Sequence, residues 1–208
     1  RFCCLLLLVL LLVVVGVVVS YEQGEMVELM TRTSIPPSFT QVNVPHDKSW
    51  RETPVSFSIL LKQKNLDVLE DLFWKVSNPK HEMYRQYLTA EEIHSLTEAD
   101  LETRMAVLDW ITATYKSTGI NAPDFQVLDR RDAIKVINAP VAVVENLFKT
   151  TLAAFQQKEN GHLWIKYVGS LYVPQELESE IDLVTGIVEF ASFSQDIVKK
   201  EKKQQQEE

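Results

Sequence analysis

The side chains able to do chemistry in this chain are few and scattered. Two carboxylate pairs, Glu91 with Glu92 and Glu178 with Glu180, have the spacing of an acid–base couple. Neither is walled by the apolar neighbours that would keep one member protonated near neutrality, so helix capping and a solvated face account for them better. The 4 histidines, His46, His81, His94 and His162, are widely separated and include no i, i+4 pair for a metal. Solvated or turn positions are their expected places. No serine lies in a Gly-x-Ser-x-Gly context, whose glycines permit the strained turn and oxyanion donors of many hydrolases. The 2 cysteines, Cys3 and Cys4, fall inside the apolar run Phe2 to Val19, so a chain shortened by that run has no thiol for a disulfide, a metal or nucleophilic attack. No catalytic residue and no cofactor or metal site is expected.

The elements that position these groups start at Val55. Val55, Phe57, Ile59 and Leu61 alternate with Ser56, Ser58, Leu60 and Lys62, a strand with one apolar face. Asn65 or Asp67 opens a helix with Leu66, Leu69, Leu72, Phe73 and Val76 on its expected inward side; Ser77-Asn78-Pro79 stops it. Thr89-Ala90-Glu91-Glu92 is a capping box and starts a short helix. A longer helix from Thr97 or Asp100 to Gly119 has Leu101, Met105, Leu108, Ile111 and Tyr115 as its expected buried stripe. A hairpin of Phe125 to Leu128 and Ala133 to Ile137 follows, turning at Asp129-Arg130-Arg131-Asp132. Pro140 suits the first turn of a helix facing inward through Val141, Val144, Leu147 and Phe148. A last hairpin joins Leu152 to Gln156 with Leu163, Ile165 and Tyr167 through Asn160-Gly161. After Pro174 a helical turn with Leu177 and Ile181 leads to a closing strand, Val184 to Phe190.

That order predicts an α+β fold of the ferredoxin-like, split βαβ kind: an antiparallel sheet with helices packed on one face. The aromatic residues Phe73, Trp74, Trp110 and Phe148 are expected in the core, and Trp164 is a candidate for exposure and docking. Residues 21–54 lack periodicity and carry Pro36, Pro37, Pro45 and Pro54, which predicts an extended leader lying against a domain of residues 55–190. At this size the core is held by burial alone.

Residues 1–20 read as a signal peptide or a signal anchor, since the run is longer than a typical h-region of about 7–15 residues and shorter than the ~20 of a spanning helix. Ser20, with Val18 two positions earlier, offers cleavage ahead of Tyr21; an uncleaved run would tether the chain to a membrane. Arg1 before the run and Glu22, Glu25 and Glu28 after it put the body outside the cytosol either way. With 21 basic and 29 acidic residues the net charge is −8, which disfavours nucleic acid and anionic membrane surfaces as partners. Residues 191–208 are Lys/Glu/Gln-rich, a disordered tail or linker. Within them Lys199, Lys200 and Lys202 resemble a basic processing site and equally suit a solvated tail.

Several phrases together resemble the activation propeptide, of pro-kumamolisin type, of the sedolisin family of serine-carboxyl peptidases. They are Asn65-Leu66 with Leu69, Val76-Ser77-Asn78-Pro79, Tyr84 to Glu92, Trp110 followed by Gly119-Ile120, and Tyr172-Val173-Pro174. Two positions depart from the family pattern: Arg85 stands where glycine is common, and Asn78 where aspartate is. The resemblance implies a propeptide-like fold over about 55–190 and a peptidase catalytic domain as partner. It also implies action as an intramolecular chaperone and acid-released inhibitor, in an extracellular, lysosomal or vacuolar lumen. The family's Ser-Gly-Thr-Ser phrase and paired catalytic carboxylates are absent from this chain. The alternative is a stand-alone secreted or membrane-tethered interaction or inhibitor domain.

Overall fold

The computed structural model describes residues 24–190. Along them run β1 (Met26–Thr31), β2 (Phe39–Val42), α1 (Lys48–Glu52), β3 (Pro54–Leu61), α2 (Leu66–Ser77), α3 (Ala90–Thr97), α4 (Leu101–Thr118) and β4 (Gln126–Asp129). They continue with β5 (Ala133–Pro140), α5 (Val141–Phe148), β6 (Thr151–Gln157), β7 (Leu163–Val168), β8 (Ser170–Pro174), α6 (Gln175–Glu178) and β9 (Ile181–Thr185). The fold is mixed α+β, and every strand pair among the described residues is antiparallel. A four-stranded sheet in the order β4-β5-β3-β9 is accompanied by a three-stranded sheet, β2-β6-β7, and the pair β1-β8.

The period-two pattern of β3 holds: Val55, Phe57, Ile59 and Leu61 are all buried. They join Ile134 and Val136 of β5 in one core with Val107, Trp110 and Ile111 of α4 and Val141, Val144, Leu147 and Phe148 of α5. Phe148 lies at its centre, edge-on to Phe57 at 5.3 Å and to Trp110 at 5.7 Å. Both expected hairpins form, β4-β5 and β6-β7. Pro140 closes β5 and is the N-cap of α5, one position earlier than expected. The capping box is complete, with the Glu92 amide donating to Thr89 Oγ1 and the Thr89 amide donating to Glu92 Oε2. Gly119 ends α4 at φ +63°.

The stretch expected as an extended leader contains paired strands. Met26–Thr31 runs along β8 and Phe39–Val42 along β6. Its apolar residues Met26, Val27, Leu29 and Met30 pack on the core without alternating, so periodicity gave no sign of them. Edge pairing with strands far along the chain, rather than local pattern, makes them β.

Three expectations fail by choice of face or register. In α2 only Val76 is buried, whereas Leu66 is 51% exposed, Phe73 57% and Trp74 63%. This helix stands against α3 and contributes nothing to the main core, so the usual burial of aromatic residues does not apply to Phe73 and Trp74. In α4 the buried stripe is Val107, Trp110, Ile111 and Thr114, while Leu101 and Met105 are exposed. Apolar residues occupy more than one side of α4, and packing on α5 and β5 selects the side. The closing strand is Ile181–Thr185, paired with β3, and it ends at Gly186 instead of extending to Phe190. Gly186 has φ +92° and brings its backbone so close to β3 that a Cβ would stand 2.7 Å from the Ser56 carbonyl oxygen.

Candidate docking surface

Of the residues singled out as candidate processing sites, Ser20, Tyr21, Lys199, Lys200 and Lys202 all lie outside the described residues. The carboxylates and histidines lie within them, and several make structural contacts. Glu92 caps α3, and its carboxyl is held below the ordinary range by the Thr89 amide first and the Thr89 hydroxyl second. Glu180 accepts from Thr103 Oγ1 at 3.3 Å. His81 Nδ1 accepts from the Met83 amide at 3.1 Å, and His46 and His162 lie edge-on to Trp50 and Trp164. Among the described residues no group of three or more His, Cys, Asp or Glu converges as a metal site. Trp164 is half-buried beside the Phe39–Phe155 cluster and 5.0 Å from Lys166 Nζ, so it does not stand clear for docking.

What the chain does present is uncovered surface on a framed sheet. One face of the four-stranded sheet is packed by α4 and α5. On the other, the register places Gln126 and Leu128 beside Ile137 and Lys135, then Ser58 and Leu60, then Thr185 and Leu183. None of these eight is buried, and Leu183 is 39% exposed. At the end of β3 a groove of about 470 Å³ is lined by Leu60, Lys62, Leu66, Asp132 and Asp182, among others. The open face therefore runs on to the first residue of α2.

Charged contacts lock the helices around that groove to the sheet. Arg131, in the β4-β5 turn at φ +72°, reaches Glu91 of α3 at 2.8 Å and Glu98 at 3.6 Å. Its hydrogen bond, more than its charge alone, holds the Glu91 carboxyl below the ordinary range, and Arg131 is raised in return. Lys64 pairs with Asp100, while Asn65 Nδ2 donates to the Leu96 carbonyl at 2.8 Å. Asn65 thus starts α2 in a left-handed conformation, using its side chain to reach α3 instead of capping its own helix. Arg104, 14% exposed, reaches Asp129 at 2.9 Å. The charges in this turn were visible in the sequence, but their partners were not, because each lies on a different element.

A second lock holds the end of the described chain. Arg32 donates to the Tyr167 and Val188 carbonyls and lies 4.6 Å over the rings of both Tyr167 and Phe190. Lys166, 2% exposed, donates to the Gly186 carbonyl, and burial pushes its ammonium pKa down. Glu189 turns back to accept the Gly186 amide at 2.8 Å.

The pro-kumamolisin activation domain family matches residues 48–190, from α1 through the end of the described fold. The chain belongs to that family. Physarolisin of Physarum polycephalum is 29% identical over 147 residues, 70% of this chain and 24% of the relative. Tripeptidyl-peptidase sed1 of Aspergillus fumigatus is 29% identical over 170 residues, 82% of this chain and 25% of the relative. Tripeptidyl-peptidase 1 of Rattus norvegicus is 27% identical over 146 residues, 69% of this chain and 24% of the relative. The chain thus spans about a quarter of the length of these relatives, and the match is to the N-terminal part of such peptidases. The activation-domain pattern also explains Arg85. Its φ is +66° and its amide donates to the Val76 carbonyl at 2.9 Å, a left-handed position where glycine is at ease.

Proposed function

We propose that this chain is the activation propeptide of a sedolisin-type peptidase, templating the folding of a catalytic domain and covering it until acid releases it. The observation that carries this reading is the family match over residues 48–190, against relatives about four times as long as the matched part. The fold supports it. The order β4-β5-β3-β9, with α4 and α5 on one face, supports a ferredoxin-like split βαβ arrangement with an open sheet face for a partner.

Acid release has a physical route through carboxylates that meet basic side chains on docking. A carboxylate that gains a basic partner on docking has a depressed bound pKa. Binding is then strongest above its free value near 4 and weakens as pH falls through the bound value. The apolar run Phe2 to Val19 supports a secretory route to an extracellular, lysosomal or vacuolar lumen.

The test is binding of the purified chain to a mature tripeptidyl peptidase of this family, with peptidase activity followed at pH 7 and pH 3.5. Tight, inhibitory binding at pH 7 that is lost at pH 3.5 supports the reading. Absence of binding at both pH values overturns it and leaves the stand-alone domain.

A further inference from the structure

We propose that α2 is a second docking element, which seats its outward side on an apolar surface bordered by basic side chains of the peptidase catalytic domain; this rests on the activation-propeptide reading. Val76 is buried and Leu69 and Leu72 are half-buried, so these three mark the inner side of α2. Leu66, Glu70, Phe73 and Trp74 share the outer side at spacings of four, seven and eight, and all are exposed. Trp74 Nε1 donates to Glu70 Oε1 at 3.4 Å and its ring lies 5.3 Å from Phe73, so the two rings form one raised patch. Tyr87, in the following turn, is 70% exposed.

Exposed areas of this kind decide the matter. An aromatic side chain has roughly 150–250 Å² to bury, so Phe73, Trp74 and Leu66 at these exposures offer on the order of 300 Å². That is more than a third of the ~800 Å² one partner contributes to a standard interface. The rim is acidic: Asp67, Glu70 and Asp71, of which Asp71 is answered by Lys75 at 2.5 Å. Among the described residues Asp67 and Glu70 form no ion pair, which calls for cations on the occupant. A second copy of this chain would bring the same carboxylates against themselves across a two-fold axis, and an anionic membrane would repel them. The occupant proposed is the remaining three quarters of the relatives' length, which this chain does not span. Since Leu66 also lines the groove beside Leu60, α2 and the open sheet face can engage one partner together.

The experiment measures Kd of the full chain for a mature tripeptidyl peptidase of this family at pH 7, for the unsubstituted chain, Trp74→Ala, Phe73→Ala and the control Leu163→Ala. Leu163 is 56% exposed on β7, away from α2, and serves as an equally exposed apolar side chain. Trp74→Ala is expected to weaken binding about 30-fold or more, as loss of an aromatic hot spot does, with an unchanged unfolding midpoint. Leu163→Ala is expected to bind as the unsubstituted chain does. If the unsubstituted chain binds and both α2 variants bind equally well, the docking role of α2 is overturned while the activation-propeptide reading stands. If the unsubstituted chain does not bind, that reading falls and the role of α2 falls with it.

Discussion

Replacing Gly186 with alanine probes a close backbone approach between β3 and the turn after β9. The added Cβ would stand 2.7 Å from the Ser56 carbonyl oxygen and 2.9 Å from Phe57 Cα. Both atoms belong to β3, which is paired on one side with β5 and on the other with β9, so neither can retreat freely. Two costs add. A left-handed backbone with a side chain costs roughly 1–2 kcal/mol. Overpacking against fixed atoms costs roughly 1–3 kcal/mol more. Gly186→Ala is therefore expected to destabilise by about 2–5 kcal/mol, a fall in Tm on the order of 10 °C for a chain of this size. Gly169→Ala is the control, because its φ is +78° but nothing lies within 4 Å of the added Cβ. That variant should show the first cost alone. Urea unfolding followed by far-UV circular dichroism gives both free energies by linear extrapolation. The signature is a difference of about 1–3 kcal/mol between the two variants. Equal losses at 186 and 169 would refute the claim that β3 is held rigidly against the turn.

Two further substitutions test the contacts around α2 and α3. Arg131→Ala should lower the urea midpoint more at pH 7 than at pH 3, because the stability contributed by the depressed Glu91 carboxyl is fully present above its ordinary value and is lost as pH falls through the folded one. An equal loss at both pH values would mean that Arg131 acts through packing and not through the ion pair. Arg85→Gly should stabilise by up to about 1 kcal/mol, the relief of the left-handed cost less the extra unfolded-state freedom of glycine; a lower Tm for this variant would contradict that account.

Where one strong local signal faced one partner, the sequence reading succeeded. β3 alternates because a single face meets the core, and α5 carries one compact apolar side, so their inward residues were legible. Thr89 to Glu92 and Asn160-Gly161 are local chemistry and formed as read. Faces were misread where a helix had two apolar sides or none that mattered. Leu101 and Met105 form as good a stripe as Val107 and Ile111, and only the position of α5 distinguishes them. Phe73 and Trp74 followed the statistics of aromatic burial, yet α2 lies outside the core. β1 and β2 could not be seen because their partners lie more than a hundred residues away. The docking groove drew on residues from four segments, of which sequence alone assembled none.

Arg32 and the carbonyl of Val188 lie 156 residues apart, and Met26 pairs with Pro174. On a ribosome adding roughly 5–20 residues per second, β1 therefore waits about 8–30 s for its partner strand. Loop closure over such a separation gives no local reward that would hold β1 in place earlier. During that interval Met26, Val27, Leu29 and Met30 lie on a strand without its partner, and an unpaired apolar strand is an invitation to aggregation. Closure comes only when residues 186–190 have emerged and Arg32 can grip them. The fold thus carries a timing constraint as well as a surface: Arg32, beside β1, finds its full set of partners only once residues 186–190 have been made.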